Sequence, residues 1–209
     1  MQSQLFTKPD VWNGGYYELA IEINPPSDSH LISVLRSIWQ QPKLQGCYLD
    51  REVEPSGQKQ INHEMLTLET PSLQTHLQGV ATLPNDCKVA CGTCFIREPD
   101  GSDWLVFYLP MGALAEAYDV GGYPFGPPDM LHKEWQEPLE KWLASLGESV
   151  YEVQPFSLGL IGFEVSGEAY ADTISTEGIP EKRVIGYLWP SGSRVEHYPS
   201  NFFSWYSDE

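Results

Sequence analysis

CKVACGTCFIREPDGSDWLVFYLP, residues Cys87 to Pro110, is the stretch on which the fold turns. Two runs rich in β-formers flank Pro99-Asp100-Gly101. Proline pre-sets φ for the first central position of a turn and glycine tolerates positive φ, so the stretch reads as a β-hairpin. On its second strand Trp104, Val106 and Tyr108 point one way and Leu105, Phe107 and Leu109 the other. Both faces are apolar, which predicts a central strand covered on both sides.

Working outward, Tyr16 to Ile23 alternates, with Tyr17, Leu19, Ile21 and Ile23 on an apolar face and Glu18 and Glu22 on the other. This pattern predicts a half-buried strand whose two glutamates line a solvated edge. The glutamates are four residues apart, roughly 13 Å along a strand, too far for the carboxylate pair of a glycosidase. Ser27-Asp28-Ser29 supplies N-cap candidates, and Leu31, Val34, Leu35, Ile38 and Trp39 follow at helical spacing until Pro42. A second long helix carries Leu131, Trp135, Leu139, Trp142, Leu143 and Leu146 on one face, with Pro138 as a kink or a restart.

Three apolar runs open with glycine and reach a Pro-Ser/Asp-Gly turn: residues 46–57, 92–101 and 186–192. They are read as three hairpins, the first returning somewhere in 58–75, the third pairing about 183–189 with 194–198. Leu77 to Leu83 and Phe156 to Val165 read as further strands, the latter with Leu158 and Leu160 on one face and Ile161, Phe163 and Val165 on the other. Met111 to Tyr118 reads as a short helix, and 120–129 and 167–181 as loops. Residues 1–14 read as an arm with Trp12 against the body. The expected class is α+β: a mainly antiparallel sheet built from hairpins, with two main helices packed on it, in one domain over 1–209. A subdomain boundary near 55–75 is the alternative.

Composition excludes several functions. At 209 residues roughly 70% of the unfolded surface can be buried, and 12% aromatic content, with seven Trp, supplies a core. The net charge of −17, from 29 acidic and 12 basic residues, argues against nucleic acid, whose binding needs Lys and Arg at phosphates, and against anionic membranes. The N-terminal stretch has no apolar h-region and no long apolar run follows, so a cytoplasmic location with reduced thiols is expected.

Motif searches specify no chemistry. Cys87-x3-Cys91-x2-Cys94 has the spacing of a radical-SAM cluster motif, but in a strand Cys94 faces away from Cys87 and Cys91, so three thiolates cannot converge on a metal. The His63-Glu64 pair lacks the second histidine of a zincin. No nucleophile elbow, P-loop or dinucleotide fingerprint occurs. No cofactor and no metal is expected.

The functional reading is therefore drawn from charge. Glu116, Asp119, Asp129, Glu134, Glu137 and Glu140 crowd one segment with loop aromatics Tyr118, Tyr123 and Phe125. Aromatics provide contact area and acids steer a basic partner. The expectation is a non-catalytic protein-binding or inhibitory module, of the immunity-protein type, engaging a basic partner through Tyr118, Asp119, Tyr123, Phe125, Asp129, Glu134 and Glu137. The alternative is a small hydrolase-like enzyme with Asp129, His132 and Glu134 beneath the Gly/Pro-rich loop. A third reading is a homo-oligomer joined through the aromatic C-terminal tail, Asn201 to Tyr206.

Overall fold

The computed structural model describes residues 4–67, 76–98, 101–121, 123–124 and 131–202, with 131–133 described in backbone only. Its centre is one antiparallel sheet. In chain order the strands are β1 (Tyr16–Ile23), β2 (Leu44–Tyr48), β3 (Leu77–Thr82), β4 (Lys88–Arg97), β5 (Asp103–Pro110), β6 (Leu158–Phe163), β7 (Gly186–Ser191) and β8 (Arg194–Tyr198). Across the sheet they run β2-β3-β4-β5-β1-β6-β7-β8. The hairpin of β4 and β5 is present, and β5 is buried along its whole length, as its two apolar faces require.

Helices α1 (Asp28–Trp39) and α3 (Leu131–Val153) pack on one face of the sheet. Helix α1 starts where Ser27 accepts a hydrogen bond from the His30 N–H, and buries the Leu31, Val34, Leu35, Ile38 and Trp39 stripe. Helix α3 runs through Pro138 without a break. Pro138 is on the solvent side, where water can reach the carbonyl that loses its partner. Gly147 lets the same helix approach β7, since a Cβ there would overlap Leu188.

The opposite face, built on Ala20, Trp104, Val106, Tyr108, Leu158 and Leu160, is covered by Val165, Ile174 and Ile185. Two short helices, α2 (Met111–Leu114) and α4 (Ala171–Glu177), complete the fold. The arm of residues 4–15 is held on the body. Glu54 accepts hydrogen bonds from the backbone N–H groups of Leu5, Phe6 and Thr7 at 2.8–3.0 Å, and Phe6 and Val11 are buried.

Four expectations need correction. Strand β1 is not a half-buried edge: it lies between β5 and β6, so Glu18 and Glu22 are 3% and 0% exposed. The run beginning at Gly46 forms no tight hairpin. Strand β2 pairs with β3 instead, and Pro55–Gly57 is a 3₁₀ turn in the long connection. Residues 167–181 contain α4 rather than only loop. Val165 joins Leu158 and Leu160 rather than Ile161, because the strand ends at Phe163 and Glu164 takes a left-handed φ of 49° that breaks the alternation. Residues 68–75, the turn at Pro99-Asp100 and the tail beyond Phe202 lie outside the described residues.

Candidate functional site

The outer face of α3 is one line of exposed residues at spacings of three and four: Glu134, Glu137, Lys141, Ser145, Glu148 and Glu152. Its inner face buries Trp135, Leu139, Leu143, Leu146 and Val150. The cation in the line, Lys141, donates to Glu137 at 2.7 Å. Asp119, after α2, is exposed as well.

The loop aromatics behave differently from the acids. The Tyr118 ring stacks on Trp135 with centroids 6.2 Å apart. Tyr123 meets Trp135 edge-on at 5.2 Å and accepts a hydrogen bond from Gln136 Nε2 at 3.3 Å. Both rings thus pack toward the core through α3, while Glu134 and Glu137 face outward. Phe125 and Asp129 lie outside the described residues, as does the His132 side chain. Of the alternative enzyme set, only Glu134 can be placed, and it is exposed.

The sequence reading counted Glu140 with the acids of this segment, but its carboxylate lies on the inner face of the same helix. Glu140 is 3% exposed and accepts from the Ser200 N–H at 2.8 Å and from the Ser200 hydroxyl. His197 Nε2 lies 3.2 Å from it. A shallow cavity of about 270 Å³ opens beside them. The serine donates to the carboxylate rather than to the imidazole, so the group does not make a Ser–His nucleophile. It fastens the end of β8 to α3. The sequence signal was an acid one residue after Leu139, inside an apolar stripe.

Glu18 and Glu22 also act as fasteners. Glu22 accepts from the Ser102 hydroxyl and from the Ala171 N–H, the latter at 2.7 Å. Glu18 accepts from the Ser166 N–H at 2.9 Å, and burial pushes its carboxyl up to about 7. Together they hold the segment before α4 over the sheet.

The cysteines divide as strand alternation demands. Cys91 belongs to the helix-side core and Cys94 to the other face. Burial pushes the Cys47 and Cys94 thiols up to about 12, which disfavours the thiolate that a metal needs. Among the described residues no group of three or more His, Cys, Asp or Glu is placed to hold a metal ion. Elemental analysis of anaerobically purified protein is expected to find no stoichiometric zinc or iron. Stoichiometric metal lost on Cys91→Ser would overturn this. No family model, no curated protein and no solved structure matches the chain.

Proposed function

We propose that this chain is a non-catalytic protein-binding module, of the inhibitory or immunity type, that works in the cytoplasm and engages a basic partner through the outer face of α3. The observation that carries the reading is the exposed line of Glu134, Glu137, Glu148 and Glu152, whose lysine is already held by Glu137. On a chain of net charge −17, such a face focuses a negative field and steers a basic surface toward it. The inward packing of Tyr118 and Tyr123 assigns them to support: they brace Trp135 and so the register of the helix.

The test is capture of a basic protein from extract of the source cells on the immobilised chain, followed by kinetics with the purified partner. Reversing Glu134→Lys and Glu137→Lys together is expected to slow association about tenfold at low salt and to flatten its salt dependence. Stability should change little, since the broken Glu137–Lys141 pair is exposed. Association that the double reversal leaves unaltered would sink this face as the site.

A further inference from the structure

The open sheet has two edges, β2 and β8. An unpaired edge offers a row of N–H and C=O groups to any strand that fits it. The β2 edge is covered by its own connection to β3: the Ile61 N–H donates to the Cys47 carbonyl at 2.8 Å, and the Gln60 side-chain amide donates to the Gly46 carbonyl. The β8 edge has no such cover among the described residues.

The turn before β8 decides which groups that edge presents. Gly192-Ser193 joins Ser191 of β7 to Arg194 of β8, with Gly192 at a φ of 65°. This is the two-residue hairpin whose first central position favours glycine. The residues that close such a turn bond to each other, and bonded and non-bonded pairs alternate from there. Arg194, Glu196 and Tyr198 therefore turn their backbone groups to β7, while the N–H and C=O groups of Val195 and His197 point outward. Pro190 lies opposite Val195, a non-bonded pair in which its missing N–H costs β8 nothing. The side chains alternate as well. Val195 packs in the helix-side core and His197 meets Glu140, while Arg194 and Glu196 are exposed on the other face.

We propose that β8 is a self-pairing edge, on which a second copy of this chain docks its own β8 antiparallel about a two-fold axis at Val195. The two Val195 residues exchange both of their hydrogen bonds on the axis, and His197 of each copy pairs with Ser193 of the other. Charge selects this register. An axis at Val195 sets Arg194 of each copy directly opposite Glu196 of the other, so two opposite-charge pairs form. Moving the axis by one residue would set Arg194 against Arg194 or Glu196 against Glu196, which is destabilising. Because β2 is covered, β8 meets its own kind, and the assembly closes as a dimer instead of growing head to tail. The net charge of −17 on each copy opposes their approach, so the dimer forms at high concentration. None of the paired residues belongs to the acidic line of α3.

The test is sedimentation equilibrium of the full chain from about 5 μM to about 1 mM, in about 0.15 M salt, where screening acts beyond roughly 8 Å. The weight-average mass is expected to rise toward twice the monomer mass across this range. Arg194→Glu and Glu196→Arg each set like charges opposite one another on both sides of the axis, and each alone is expected to weaken association about tenfold or more. The double variant, Arg194→Glu with Glu196→Arg, restores opposite charges and is expected to recover association to within about threefold. Both residues are exposed, so all three variants should fold. Hydrogen exchange read by NMR locates the interface: the Val195 and His197 amides are expected to exchange more slowly at about 1 mM than at about 50 μM, the Arg194 and Glu196 amides equally at both. The proposal is overturned if the chain stays monomeric to about 1 mM. It is overturned equally if the single reversals leave association unaltered, if the double variant fails to recover it, or if a dimer forms with no added protection at Val195 and His197.

Discussion

Trp39→Ala should lower the free energy of unfolding by about 3–5 kcal/mol, the usual cost of truncating a buried aromatic residue. Trp39 ends α1 and is 3% exposed. Its indole N–H donates to Thr93 Oγ1 at 3.0 Å across the helix–sheet boundary. The ring rests on bare backbone: a Cβ at Gly46 of β2 or at Gly79 of β3 would overlap it. The alanine variant therefore leaves a void against two strands that have no side chains to fill it, and a buried threonine hydroxyl without its donor. The same geometry makes Gly79→Ala destabilising, because the added methyl also meets the Gln45 carbonyl, which cannot rotate away. Chemical denaturation measures both. A loss near zero for Trp39→Ala would mean that the indole does not hold α1 to the sheet, and the apolar stripe would then have to be read as a partner surface.

The elements that were legible in the sequence are those whose signal is local. Helix α1 announces itself by the Ser27 cap and the stripe from Leu31 to Trp39, and the β4–β5 hairpin by alternation on either side of a turn. Strand β1 shows the limit of that signal. Alternation of apolar residues with Glu18 and Glu22 is what an edge strand looks like, and nothing nearby says that both neighbours are occupied. The groups that satisfy the two carboxylates, Ser102, Ser166 and Ala171, are 80, 148 and 149 residues from them in sequence. The mispaired first hairpin has the same origin. A Pro-Ser-Gly turn was present, but β2 pairs across a long connection with β3, and turn chemistry alone does not say how far away the partner strand begins.

The candidate sites follow the same division. Exposure of Glu134 and Glu137 could be read from helical spacing, since acids off the apolar stripe of α3 face water. The inward turn of Tyr118 and Tyr123 could not, because it depends on where Trp135 and Tyr17 lie. The row of residues across the opposite sheet face was hidden for a stronger reason. Gln78, Gly92, Tyr108 and Glu18 come from four strands, and only their shared register makes them neighbours.

The protonation of Glu18 should make stability depend on pH in a direction opposite to that of a paired surface carboxylate. Burial holds its folded-state value at about 7 against an ordinary 4.5. Below the ordinary value both folded and unfolded chains are protonated there, and Glu18 costs nothing. As pH rises from 4.5 to 7 the unfolded chain releases the proton while the folded chain retains it, so folding loses ground. Above 7 the full penalty applies, up to about 3 kcal/mol. Glu22, raised in the same direction by burial, adds to the trend. Glu18→Gln removes the penalty while keeping an oxygen to accept from the Ser166 N–H. The variant should match the wild type near pH 4, exceed it by about 2–3 kcal/mol near pH 8, and flatten the slope between. Urea denaturation at the two pH values measures this. A variant less stable than the wild type at pH 8 would show instead that the fold favours the ionised carboxylate and does not raise its value. The Ser166 N–H would then be stabilising a buried charge, and the segment before α4 would be held by a charge-assisted bond rather than a neutral one.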